Sequence, residues 1–180
     1  MNNTQSLPNQ TISNQAIPAP TTDDAAQIER VRKAVRSRSF ATLSTVSDAG
    51  FPHAAGVIYV PVGDELYVHT MASSRKARNI AADGRVGVVI PVRKLPVGPP
   101  YTVQFQARAE VLAMDDTAVT PLIEDGSLKA ITSHGELDMA DGCFVRVRPT
   151  GTVHTYGIGV PVRALIKDPV TNGPRAVRLR

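Results

Sequence analysis

The stretch His69-Thr70-Met71-Ala72-Ser73-Ser74-Arg75-Lys76-Ala77-Arg78-Asn79-Ile80-Ala81-Ala82-Asp83-Gly84-Arg85 decides how this chain is read. It joins the end of a strand to a short polar turn and the start of a helix. The strand covers 65–70, where Leu66, Val68 and Thr70 alternate with Tyr67 and His69. The helix covers 74–82, with Ser74 as its cap and Asp83-Gly84 as its stop. Such a junction leaves backbone N–H groups free at the positive end of a helix dipole. Thr70, Ser73 and Ser74 add hydroxyls there, and Arg75 and Lys76 add two cations. Oriented donors with fixed positive charge suit a phosphate monoester. A plain Ser-capped helix with solvated cations uses the same residue types, so the stretch alone leaves both readings open.

Upstream, residues 39–46 read as a strand carrying Phe40, Leu43 and Val46, and Ser47-Asp48-Ala49-Gly50 as a turn. Residues 52–60 form the next strand, and 62–64 turn into the strand at 65–70. The three make an antiparallel meander. A first helix spans 23–38, with Ile28, Val31 and Val35 on one face and Thr21 or Thr22 as its cap. Its other face holds Arg30, Arg32, Lys33 and Arg36, read as solvated. Residues 1–22 contain no Lys, Arg, Asp or Glu and are rich in Asn, Gln, Thr, Ser and Pro. They read as a disordered polar tail, without the basic start and apolar middle of a secretory signal.

Downstream, residues 85–92 are a strongly apolar strand and 93–100 a Pro-rich loop with Arg93 and Lys94. Residues 101–113 alternate Val103, Phe105, Ala107, Ala109 and Val111 as a long strand. Residues 115–131 read as a helix in two pieces, interrupted by Pro121 and by Asp125-Gly126. Residues 141–156 return to strand, and 157–180 are weakly patterned with a basic end. No internal repeat is present. Six strands with short inserted helices predict a mainly β fold, a six-stranded antiparallel barrel with a helix near the N-terminus. The barrel domain is placed at 23–160, and 161–180 is expected as a basic extension packed on or near it.

Composition bounds the function. The chain has 180 residues, enough for one domain with a substantial core. Its net charge of +4 favours anionic partners. With no Trp, four Tyr and four Phe, it offers few stacking platforms for bases, and its cations are scattered rather than interleaved with aromatics, so nucleic acid is not expected. Cys143 is the single cysteine, which excludes an internal disulfide and a Cys-rich zinc site. His53, His69, His134 and His154 show no metal-ligand spacing, so no metal is expected. No apolar run reaches membrane-spanning length, and a cytoplasmic protein without a membrane partner is expected.

Three segments resemble one family in the right order. The first is Ala41-Thr-Leu-Ser-Thr-Val followed by Asp48-Ala-Gly50-Phe-Pro52-His53. The second is Thr70-x-x-x-Ser74-Arg75-Lys76-x-x-x-Ile80-Ala81-x-x-x-Arg85-Val86, and the third is Tyr101-Thr102-Val103-Gln104-Phe105-Gln106-Ala107-Arg108-Ala109-Glu110. Together they resemble the pyridoxamine 5′-phosphate oxidase-like proteins, the FMN-binding split barrels. That resemblance implies a homodimer with two flavin sites at the subunit interface. Thr70, Ser74, Arg75 and Lys76 would hold the phosphate, with Ser73 beside them and His53 and His69 near the ring or the mouth. The strand around Ala55, Gly56, Val57 and Ile58 would run along the ring, its backbone amides reaching the pyrimidine edge. Thr102 stands where the family's oxidases carry a flavin-touching Gln.

The chain departs from the true oxidases elsewhere. Their early Arg and late Lys on the second strand are replaced by Ala55 and Val60, and Arg175-Ala-Val-Arg-Leu-Arg180 resembles their basic tail only loosely. Vitamin B6 oxidation is therefore not the expected activity. The expectation is a flavin-dependent oxidoreductase passing hydride between FMN and a small molecule, the cofactor supplying the chemistry. The same barrel serves F420-dependent reductases, whose multiply anionic cofactor would suit Arg93-Lys94 and the basic first helix. A flavin- or haem-binding protein without turnover is the third reading.

Overall fold

Alternating burial along the strands builds one curled antiparallel sheet. The computed structural model describes residues 22–92 and 101–178. The expected tail, up to residue 21, and the expected loop at 93–100 lie outside them.

The first helix, α1 (Thr22–Arg36), packs Val31 and Ala34 into the core, with Ile28 and Val35 partly buried against it. Arg32 on its other face is not simply solvated. It grips Asp64 with two hydrogen bonds of 2.8 and 2.7 Å and holds that carboxyl below the usual carboxylate range. The pair is about one-third exposed on each side, so its contribution to stability is about 1 kcal/mol or less. It ties α1 to the turn that leads into the decisive stretch.

Strand β1 (Phe40–Val46) buries Ala41, Leu43 and Thr45 and turns Phe40 and Val46 outward. It pairs with β2 (Pro52–Ile58) on one side and β5 (Arg85–Pro91) on the other. The expected strand at 52–60 is broken at Tyr59, and its continuation is β3 (Val60–Val62). Tyr59 is buried, its amide donating to the Ser39 carbonyl at 2.8 Å and its hydroxyl to the Val35 carbonyl at 2.7 Å. These bonds pull the ribbon off its line. Beyond them it leaves β1 and pairs instead with β4 (Glu65–Met71).

The sheet runs in the order β2-β1-β5-β6-β7-β4-β3, where β6 is Thr102–Leu112 and β7 is Gly142–Tyr156. Its two ends, β2 and β3, are consecutive in the chain with only Tyr59 between them. The ribbon 52–62 thus closes the barrel by changing partner halfway. Counted as one strand, it gives the six barrel strands expected. Above the change of partner, β2 and β4 diverge and leave a split.

The interior holds Leu43, Val68, Val88, Ile90, Val103, Val145 and Val153, among others, all nearly or fully buried. Burial of a large aliphatic side chain contributes roughly 1.5–3 kcal/mol. On the outer surface, Glu110 pairs with both Arg146 and Arg148 across β6 and β7.

Residues between β6 and β7 form a cover with its own small core: Leu128, Val119 and Ile131 meet Tyr67, Leu112 and Phe144. This explains why Leu66, Tyr67 and Val68 are buried in succession, since β4 has the barrel interior on one face and the cover on the other. Here Pro121 does not interrupt a helix. It starts one, α3 (Thr120–Glu124), where its missing N–H costs nothing. Asp125-Gly126 does end α3, with Gly126 at φ +77°.

The C-terminal segment is more ordered than its pattern indicates. It forms α4 (Val162–Lys167), α5 (Pro169–Asn172) and β8 (Pro174–Arg178), and β8 adds to the edge of β7. Only Val177 of β8 is buried, which leaves no alternation to read. Among the described residues, no helix is long and apolar enough to cross a membrane.

Candidate functional site

The second helix, α2 (Arg75–Ala82), follows β4 directly and plugs the barrel beside the split. Ser74 caps it, its side chain accepting from the Ala77 amide at 3.3 Å. Ala77 and Ile80 face the core, and buried Asn79 donates to the Thr45 hydroxyl at 2.9 Å, fixing the helix to β1. Its exit is equally tight. A side chain at Gly84 would lie 2.5 Å from the Ala109 carbonyl oxygen, so the close approach of the two backbones requires glycine there.

These elements frame an open cleft of about 400 Å³, within the size range of small-molecule sites. Gly56, Val57 and Ile58 supply one wall, and Val68, His69 and Lys76 the floor and one end. Ala130, Ile131, His134 and Glu136 of the cover supply the opposite wall. As an edge strand, β2 leaves alternate N–H and C=O groups without a ladder partner along the split. Lys76 has no ion pair among the described residues, and the first-turn amides of α2 have no intrahelical acceptor.

The other polar groups differ in their freedom. Glu136 accepts from the His134 amide at 2.6 Å, and this bond holds its carboxyl below the usual range. Burial lowers the His69 pKa, so the ring is kept neutral. The ring stands edge-on to Phe144, with centroids 5.4 Å apart, and its Nε2 is enclosed without a hydrogen-bond partner. The cleft is lined by apolar and polar groups alike, with a cation that has no ion pair among the described residues at one helix start and a carboxylate on the cover.

Five of the eleven residues expected to contact a cofactor meet in this cleft: Gly56, Val57, Ile58, His69 and Lys76. Ala55 precedes them on β2, on the same face as Val57, and does not line the cleft. Thr70, Ser73 and Ser74 are engaged in the turn itself. The Thr70 hydroxyl donates to Ser74 Oγ at 3.5 Å, and the Ser73 amide donates to Asp141 at 3.1 Å, which lowers the pKa of that carboxyl. The Ser73 carbonyl accepts from Arg78. Arg75 is exposed in the first turn and does not line the cleft. Thr102 lies elsewhere, at the start of β6 opposite Tyr156, accepting from the Gln104 side chain at 2.9 Å. The sequence reading missed the cover wall. The length of chain between two long strands is the one signal that could have revealed it, since long connections are often functional. Among the described residues, no His, Cys, Asp and Glu cluster is arranged to hold a metal.

A barrel closed by one partner-changing ribbon, with a cleft in the resulting split, defines the class of split-barrel proteins. The family model of pyridoxamine 5′-phosphate oxidase matches residues 28–153, and the chain belongs to that family. Among solved structures, the chain resembles the haem storage protein HutZ from Vibrio cholerae, with TM-score 0.60 and 17% identity over 69% of this chain and 91% of that one. A haem-binding protein from Mycobacterium smegmatis gives TM-score 0.60 and 22% identity over 78% of this chain and 56% of that one. A FAD-binding protein from Mesorhizobium loti gives 0.57 and 19% over 69% and 88%. At such identities the likeness is one of fold. Among curated proteins no match is found.

Proposed function

We propose that the chain is a flavin-dependent oxidoreductase that binds FMN in the cleft of the split and passes hydride to or from a small molecule. One observation carries this reading: the groove beside the open edge of β2, lined in part by Val57, Ile58 and Ile131, includes Lys76 on a helix start, which has no ion pair among the described residues. A planar ring with an anionic head needs those two features at its two ends. Lys76 and the Arg75 and Lys76 amides would take the phosphate, the Ala77 amide being held by the Ser74 cap, with the Arg75 side chain as a second cation at the same turn. The open edge of β2 at Gly56–Ile58 would face the ring. When bound, FMN would supply hydride chemistry, and the protein's part is to hold it, exclude water and shape access. Among the residues that line the cleft, Lys76 is the one Lys or Arg.

The proposal includes a homodimer. Phe40, Ile58 and Val89 are exposed large apolar side chains on strands of the same part of the sheet. A second copy seated there would cover them, and would bring its own residues, Thr102 among them, toward the site. Membership of the family and the neighbours of this fold support flavin or haem as the ligand class, and F420 is the alternative with the same phosphate chemistry. The neutral Ala55 and Val60 leave pyridoxamine phosphate oxidation without its expected side chains.

The test is the absorption spectrum of the purified protein after incubation with FMN, F420 or haem, with mass spectrometry of whatever it releases. Stoichiometric FMN and reduction of the bound flavin by a small-molecule donor are the expected results. Haem retained in place of flavin, or tight flavin that never turns over, rejects the enzymatic reading. Light scattering of the same sample reads the dimer.

A further inference from the structure

The net charge of the chain is confined to one end. Residues 157–180 hold five Lys and Arg against one Asp, which accounts for the whole net charge of +4, while residues 1–156 balance fifteen cations with fifteen anions. None of Arg163, Lys167, Arg175 and Arg178 forms an ion pair among the described residues. The one carboxylate, Asp168, is occupied in capping α5, accepting from the Thr171 amide at 3.0 Å.

The same segment exposes Val162, Ile166 and Val170 at 46%, 72% and 81% of their surface. In α4, Val162 and Ile166 lie one turn apart, and Arg163 and Lys167 form a parallel row about 100° round the helix. Leu165, buried at 2%, marks the side that faces the protein. Aliphatic tips thus protrude beside a row of unpartnered cations. Val162 and Ile166 form an exposed apolar row beside these cations, with exposed Val170 following at the start of α5, and exposed apolar surface beside such a row marks an interaction site.

We infer that this C-terminal face docks on an anionic lipid bilayer. The side chains of Val162, Ile166 and Val170 enter the boundary between headgroups and acyl chains, and the cations meet the negative surface. A polyanion such as nucleic acid would use the cations but leave the aliphatic tips in water, and the segment has no aromatic side chain on which bases could stack. A protruding ridge needs no shaped groove in its partner, and a fluid bilayer supplies none. The inference concerns docking on a surface, not crossing it, and it does not depend on the cofactor.

The test is co-sedimentation of the full chain with vesicles of phosphatidylcholine alone and of phosphatidylcholine mixed equally with phosphatidylglycerol. Sedimentation with the mixed vesicles only, weakened by added salt, is the expected result. Replacing Arg163 and Lys167 together by Gln lowers the partition coefficient roughly thirtyfold. Ile166→Asp with Val170→Asp lowers it roughly tenfold or more, with an unchanged melting curve because both side chains are exposed. Equal sedimentation with both vesicle types, or with neither, overturns the inference. So does binding that survives loss of Ile166 and Val170, tighter binding to heparin than to the vesicles, or self-association that disappears with those two side chains.

Discussion

The two walls of the cleft are built differently. The wall made by β2, β4 and α2 comes from residues close together in the chain, held by ladder bonds, the Ser74 cap and the bond from Asn79 to Thr45. The cover wall comes from a connection without long elements, held chiefly by Phe144, Leu128, Val119 and Ile131. The first wall carries its cation on a rigid support. The second carries Glu136 and His134 on a turn, with Gly135 at φ +91°. In the proposed complex the ligand's anionic head would meet a fixed group, whereas its other side would meet a surface that depends on one small core.

The largest expected effect strikes the second wall. Phe144→Ala removes a fully buried ring from that core and should cost about 3–5 kcal/mol of stability, read by denaturant unfolding. A loss confined to the cover, with the barrel melting as before, would sharpen the contrast; a loss below 1 kcal/mol by the same scale breaks it.

Next comes the first wall. Lys76→Ala should weaken FMN binding by roughly 1.5–3 kcal/mol with little change in folding, measured by flavin fluorescence titration. Unchanged affinity would show that the cation is not the anchor. Ser74→Ala should cost about 1 kcal/mol of stability by uncapping α2. If hydrogen exchange in α2 is unaltered by that change, the cap is not what makes this wall rigid.

The smallest effect is one of pH. Burial lowers the His69 pKa from its ordinary 6.5, so below that pH the unfolded chain takes up a proton that the folded one refuses. Stability should therefore fall as pH drops through 6.5 toward the folded value. His69→Asn should flatten that part of a melting-temperature profile, and an identical profile in the variant would assign the slope to other groups.

Much of the first wall was legible in the chain, and the reasons are local. Alternation marks β4 and β6, a strongly apolar run marks β5, and Ser74 with Asp83-Gly84 brackets α2 within a residue. The cover was not legible, because Leu128, Ile131 and Phe144 meet through folding rather than through any period in the sequence. In the sequence Pro121 resembles a break, whereas its place in the first turn of α3 makes it a start. Phe40 and Val46 share the apolar character of Leu43, yet they face outward, where exposure rather than residue type tells the two sides apart. The Thr70 and Ser74 hydroxyls serve the turn's own cap, and hydrogen-bonding capacity alone does not reveal such a commitment.

The partner change at Tyr59 bears on which sequence lengths this family member tolerates. An ordinary edge strand absorbs an inserted residue by slipping along its single neighbour or by bulging. Residues 52–62 are held in register on both sides of Tyr59, by β1 before it and by β4 after it. One added residue there would invert inward and outward positions in one half while leaving the other untouched. The eleven-residue spacing from Pro52 to Val62 is thus a gauge length of the barrel, as restrictive on insertions and deletions as any single buried side chain is on substitution.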